Sequence, residues 1–253
     1  MIGISNFIKN QLHHSDWKNL LEVVDTLDIA PAIEFDDYPK FTFSEVSSWL
    51  KNNKSVRVQS LQGYLFNCGP CSFTGSDELF KNFLVNTSRA KSLAEDLGSN
   101  FIIFGAPKLR ADYLSIYLLR ERLQFLDDIF SNSKIQFIFE PASLSLGSKV
   151  INCHDEQLQT INSLKLENFG RILDAENCRS EKLDFSQCVS DGFFDHIHLN
   201  TKNYGFNEYE LSKQFNYCRN LIKSNNISVN VEIQNLCSGS ISNLIGLLDH
   251  VRN

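Results

Sequence analysis

Four side chains able to hold a cation stand at matched places along this 253-residue chain: Glu140 closes the run IQFIFE, Asp174 closes GRILD, His198 closes FDHIH and Glu232 closes VNVE. They lie 34, 24 and 34 residues apart, each step about the length of one strand-helix unit of roughly 30 residues. Taken singly, each could be a rim residue bonded to neighbouring backbone. Four in successive register point instead to one shared mouth. Three carboxylates and one imidazole suit a divalent ion that accepts hard oxygen ligands and a nitrogen, so Mn, Mg, Co and Zn all qualify. Without a cation the carboxylates would repel one another and raise one another's pKa. A metal that holds a carbonyl and an adjacent hydroxyl stabilises an enediolate, and a nearby carboxylate can remove the α-proton.

The elements that must position these residues are also readable. Short apolar runs recur at Ile2 to Ser5, Thr26 to Ala30, Val56 to Leu61, Asn100 to Phe104, Ile135 to Glu140, Arg171 to Asp174, Phe194 to Leu199 and Ser228 to Ile233. Between them the period becomes helical, as in Phe83, Thr87, Ala90, Leu93, Ala94 and Leu97, or Ile116, Leu119, Leu123 and Leu126. Ser15-Asp16 and Ser76-Asp77-Glu78 are helix start signals. Eight such units predict an α/β fold of one (β/α)8 TIM barrel spanning residues 1–253 as a single domain, whose active face lies at the C-terminal ends of the strands. Runs such as FIIF are apolar throughout, as expected of strands buried on both faces. The rival, a doubly wound open sheet, lacks a G-x-G-x-x-G or P-loop motif here.

Composition narrows the partners. A formal charge of -6 with no basic run argues against nucleic acid, because phosphate binding depends on clustered Lys and Arg. No leader pattern opens the chain and no apolar run is long enough to span a bilayer, so a cytoplasmic protein that does not enter membranes is expected. Seven scattered cysteines fit reduced thiols. Cys68-Gly69-Pro70-Cys71 matches the redox tetrapeptide of thioredoxin, yet Ser72 to Gly75 separate it from the helix start at Ser76. A helix field fades within a turn, so a tight rim turn is the expectation there.

With the barrel in place, the ligand quartet resembles that of the xylose isomerase-like TIM barrels, the sugar phosphate isomerase/epimerase group related to endonuclease IV. TLDIAPAIEF, VQSLQGYLF, FGAPKLR, FEPASLSLG and LDAEN resemble family motifs in the same order, from about Ile2 to Glu232. The resemblance implies that Glu140, Asp174, His198 and Glu232 bind a divalent metal. It also implies that Glu140 and Glu232 exchange a proton with the carbon beside a substrate carbonyl, one on each face. Asn177 matches a substrate-contacting polar position, and Gln62 after the third strand is a similar candidate. Ser145 and Ala142 stand where relatives carry an acidic residue and an asparagine, and Asp28 where they carry a glutamate. Loss of such polar contacts implies an altered substrate or a weakened activity.

Other residues can be read directly. Lys108 and Arg110, just past the fourth strand, would place positive charge over the mouth and could hold a carboxylate, phosphate or enolate oxygen; alternatively Arg110 caps a rim loop. Asn67 in the third loop could line the pocket. His196 shares a strand face with His198 and is expected as a packed, hydrogen-bonded core histidine, the alternative being a support for the metal shell. The expected activity is a metal-dependent isomerisation or epimerisation of a sugar or sugar-like hydroxy-ketone through an enediolate. A dehydratase or lyase, and a non-catalytic sugar-binding or scaffolding barrel in carbohydrate biosynthesis, are the alternatives. The partner expectations are a small carbohydrate and a homodimeric assembly.

Overall fold

The computed structural model describes residues 1–5, 14–29, 57–65, 68–192, 194–202, 205–224, 227–233, 236 and 240–252. Among them, nine parallel strands form one sheet: β1 (Ile2–Ser5), β2 (Thr26–Ile29), β3 (Arg57–Gln62), β4 (Phe101–Phe104), β5 (Gln136–Phe139), β6 (Phe169–Gly170), β7 (Ile172–Asp174), β8 (His196–Leu199) and β9 (Ser228–Val231). Their order is β6-β5-β4-β3-β2-β1-β9-β8-β7. The two ends of that order, β6 and β7, are separated by Arg171 alone, so the chain itself closes the ring. This is the α/β TIM barrel expected from the eight apolar runs. The sixth run differs in one respect: it starts at Phe169 and is broken into a segment paired with β5 and a segment paired with β8.

Helices follow the strands where the period predicted them. They are α1 (His14–Val23), α2 (Asp77–Leu97), α3 (Ile116–Phe130), α4 (His154–Leu164), α5 (Ala175–Glu181), α6 (Phe185–Asp191), α7 (Glu208–Ser224) and α8 (Ile241–Arg252). Ser76 caps α2 by accepting the Leu79 N–H, and Asp77 and Glu78 complement its positive end. The buried face of α2 carries Phe83, Thr87, Ala90, Leu93 and Ala94, the residues of the helical period. Ser15 and Asp16 fall inside the first turn of α1, where Asp16 serves the same electrostatic role. Among the described residues no helix is long and apolar enough to cross a membrane.

The sheet buries two chemically different faces. Outward residues such as Ile4, Leu27, Phe104, Phe137, Leu173 and Val231 join the helices in the main apolar core. Inside the ring, a small separate cluster of Phe101, Ile103, Ile138 and Ile172 fills one half. The other half is polar. Ser5, Thr26, Asp28, Ser60, Gln62, His196, His198, Ser228 and Asn230 are all buried. A bulge contributes to this: Leu27 pairs with Val58 and Asp28 with Ser60, so Gln59 is an extra residue that turns Ser60 and Gln62 inward.

Burying so many polar groups is tolerable only if they bond one another. Gln62 Nε2 donates to Ser5 Oγ at 2.5 Å and Thr26 Oγ1 donates to Asn230 Oδ1 at 3.0 Å, each reaching over an intervening strand. The second bond passes over Gly3 of β1, where a Cβ would meet Asn230 Oδ1 and Thr26 Oγ1 at 2.1 Å each. Replacing Gly3 by Ala must therefore push this pair apart. We expect Gly3→Ala to lower stability by about 1–3 kcal/mol from overpacking, read as a lower urea midpoint at unchanged slope; an unaltered midpoint would disprove the tight crossing.

Candidate metal centre

The four strand ends converge. Asp174 ends β7 and His198 lies in β8, while the backbone N–H groups of Glu140 and Glu232 still bond to Phe104 O at 3.1 Å and Leu199 O at 2.9 Å, continuing the ladders. One ligand atom from each of Glu140, Asp174, His198 and Glu232 lies within 4.8 Å of the others. His198 Nδ1 is 3.4 Å from Glu232 Oε2, 3.6 Å from Glu140 Oε1 and 4.0 Å from Asp174 Oδ2. Yet Nδ1 has no partner of hydrogen-bond geometry among the described residues. Ligands about 2.1 Å from a common ion stand up to about 4.2 Å apart, so the spacing and the donor set fit a divalent cation.

Three of the four side chains have supports of their own. Glu140 lies against Gly105, where a Cβ would come within 2.1 Å of Glu140 Oε2. Asp174 caps α5, its Oδ1 accepting the Asn177 N–H at 2.7 Å and its Oδ2 accepting from Asn200 Nδ2 at 2.6 Å. His198 and His196 both place Nε2 on Asp28 Oδ2, at 3.0 and 2.9 Å, and Ser60 Oγ donates to Asp28 Oδ1 at 2.6 Å. Asp28 is thus no lost substrate contact but a buried acceptor beneath the site. His196 is the packed core histidine expected, set against Phe101 and His198.

Electrostatics record the crowding. Burial, then Glu140 and Glu232, push Asp174 up to about 7. Burial alone would lower His198, but its bonds to Asp28 and the nearby glutamates carry it well above the ordinary value. Burial acts against the Asp28 anion too, yet His196 and His198 hold it far below the usual carboxylate range.

The remaining candidates have different surroundings. Arg110 is fully enclosed, its guanidinium 4.8 Å from the Phe139 ring centre and 5.5 Å from that of Phe104, with Nη2 donating to Gly105 O at 3.3 Å. Its Nε and Nη1 have no hydrogen-bond partner among the described residues. Burial lowers its pKa to about 10, partly offset by Glu140 and Glu156. It acts on Glu140 from behind the mouth rather than over it. Phe73, packed on both rings at 6.3 and 5.0 Å, fixes that arrangement. Lys108 is exposed on the short 3-10 turn Pro107–Arg110. Gln62 is a buried wall residue bonded to Ser5. Asn177 is buried, with Nδ2 donating to Pro141 O at 2.8 Å, and so braces α5 against the loop after β5. Asn67 lies outside the described residues, as do Ala30 and the rest of the IEF stretch.

Asn200 and His154 were not among the sequence candidates. Asn200 lies two residues beyond His198 in a strand-end HLN, a spacing that could have flagged it. His154 Nε2 accepts the Asp174 N–H at 3.4 Å while Nδ1 lies 2.9 Å from Glu181 Oε1, a role no local pattern announces. In the third loop, Gly69 has φ +79° and Cys68 Sγ donates to Tyr64 O at 3.1 Å. Burial raises both Cys68 and Cys71, the opposite of an activated thiol.

No protein-family model matches the chain, and no curated protein matches it in sequence. Solved structures do. The 3-keto-D-glucoside 4-epimerase YcjR from E. coli superposes with a TM-score of 0.69 at 16% identity, covering 99% of this chain and 98% of that one. An AP endonuclease, family 2, from Brucella melitensis gives 0.71 at 13% identity over 96% of each chain. The IOLI protein, solved with a binding zinc atom, gives 0.63 at 9% identity over 99% of this chain and 94% of that one. At these identities the likeness establishes the fold alone, a (β/α)8 TIM barrel.

Two outcomes follow from the geometry. In the metal-free protein the folded Asp174 value near 7 exceeds its ordinary 3.8, so its contribution to stability falls as pH rises between them. Asp174→Asn keeps a cap residue, and Asn200, whose Oδ1 has no partner among the described residues, can turn to accept from it. We expect this variant to raise the metal-free melting temperature at pH 7.5 by at least about 2 °C while losing any rise on adding Mn(II) or Zn(II). Gly105→Ala should displace the Glu140 carboxylate and weaken metal uptake measured by titration calorimetry by about 10-fold or more; unchanged uptake would show that Glu140 does not need that contact.

Proposed function

We propose that this chain is a divalent-metal-dependent isomerase or epimerase of a sugar or sugar-like hydroxy-ketone, with Glu140, Asp174, His198 and Glu232 holding the metal. The observation that carries the reading is the unequal exposure within the quartet. The side chains of Glu140 and Glu232 keep 17% and 9% exposure, against 1% for Asp174 and 0% for His198. Around the ring, the strands bearing Glu140 and Glu232 flank those bearing Asp174 and His198. Two carboxylates therefore reach the mouth from either side of a buried pair.

The bound cation would supply Lewis-acid polarisation of a carbonyl oxygen. The chain's own residues do the rest. One glutamate carboxylate takes the proton from the carbon beside the carbonyl, and the other returns a proton on the opposite face, which inverts that centre. Asp174 and His198, held by Asn177, Asn200 and Asp28, orient without moving. Arg110 places positive charge behind Glu140. The similarity to 3-keto-D-glucoside and other sugar epimerases supports a keto-sugar substrate. Strand cleavage of DNA is a poorer reading for a chain of formal charge -6 whose quartet has one histidine.

The test is solvent exchange. With Mn(II) or Co(II) and a panel of ketoses and keto-glycosides in D2O, the wild-type protein should place deuterium at the carbon beside the carbonyl. Glu140→Gln and Glu232→Gln should each cut that exchange about 10²–10⁴-fold. Exchange and metal content retained in both variants would defeat the assignment, and a product that has lost water would move it to the dehydratases.

A further inference from the structure

We infer that Asp28 and His196 are positioning residues that hold a proton on Nε2 of His198, so that Nδ1, facing the three carboxylates, is the nitrogen it presents to a cation. The inference rests on the metal reading above and adds the device that makes His198 a ligand through one particular nitrogen.

The argument begins with what a carboxylate can do. Ionised, it only accepts hydrogen bonds. Asp28 Oδ2 receives His198 Nε2 at 3.0 Å and His196 Nε2 at 2.9 Å, so both nitrogens must carry protons. Ser60 Oγ, at 2.6 Å, occupies Oδ1 and prevents the carboxylate from turning. Asp28, Ser60, His196 and His198 are each 0% exposed, so solvent does not compete for these bonds. Its Nε2 proton is committed below, so a cation arriving from above takes the place of the Nδ1 proton and meets that nitrogen's lone pair, 3.4–4.0 Å from Glu232, Glu140 and Asp174.

His196 has a separate part in this. A single imidazole on Oδ2 would leave the oxygen free to swing about that one bond. The His196 ring approaches at 78° to that of His198, with centroids 4.8 Å apart, and is itself backed by Phe101 at 5.4 Å. Two donors from different directions pin the oxygen, and through it the tilt of the His198 ring. A carboxylate behind a metal-bound histidine also makes the ring a stronger donor, an effect commonly worth 10–100-fold in affinity.

The experiment uses the full chain and Zn(II), a diamagnetic probe. In wild-type protein, long-range proton–nitrogen NMR should show His198 protonated at Nε2, with Nδ1 the nitrogen whose shift moves when Zn(II) is added. Asp28→Leu, which removes the acceptor at similar volume, should weaken Zn(II) binding about 10–100-fold. Asp28→Asn, which keeps an acceptor oxygen but no charge, should fall between it and wild type. Coordination through Nε2, or equal Zn(II) affinity in wild type and Asp28→Leu, would overturn the inference. If circular dichroism shows Asp28→Leu unfolded, the wild-type spectrum and Asp28→Asn decide by the same criteria. A wild-type chain that takes up no Zn(II) would overturn both this inference and the metal reading beneath it, whereas tight binding unaffected at Asp28 would overturn this one alone.

Discussion

The crowding of three carboxylates around one imidazole nitrogen is the interaction on which the rest of the structure depends. Like charges this close are held together only by something that opposes their repulsion, and the protein supplies that opposition at several depths. His198 lies between the anions, Arg110 is sealed behind Glu140, and amide groups of Asn177 and Asn200 satisfy both oxygens of Asp174. The barrel is the means of bringing four strand ends far apart in sequence to within one cation's width.

That requirement explains the uneven interior of the ring. Four apolar side chains suffice to fill the half beneath β4, β5 and β7. The half beneath β1, β2, β3, β8 and β9 cannot be apolar, because His198 needs a buried acceptor and that acceptor needs further donors. Each polar residue recruited must be satisfied in turn, and the chain of partners runs from His198 through Asp28 to Ser60. Gln62 with Ser5, and Thr26 with Asn230 over Gly3, line the same half. Stability and ligand geometry are set by the same hydrogen bonds there.

The sequence carries the quartet openly, since a charged residue ending an apolar strand stands out and the spacing repeats a strand-helix unit. The supports are harder to read. Asp28 meets His198 across 170 residues of chain, and nothing in TLDI announces that partner. The bulge at Gln59 is a relation between two strands, so neither strand shows it alone. Arg110 reads as a rim charge because it follows a strand end; only the ring faces of Phe104 and Phe139, set by Phe73, reveal that it turns inward. The C-G-P-C string conversely says more than the molecule does, because burial raises both thiols, outweighing the Arg89 charge that acts to lower Cys68.

The interruption at Arg171 gives the mouth an unusual mechanical property. Below it β6 is laced to β5, but above it β7 is laced only to β8, so the strand ends carrying Glu140 and Asp174 share no ladder. What spans the gap among the described residues are side-chain bonds, the Asn177 amide on the Pro141 carbonyl and the His154 ring on the Asp174 N–H. The spacing of those two carboxylates is therefore set by side chains rather than by the sheet.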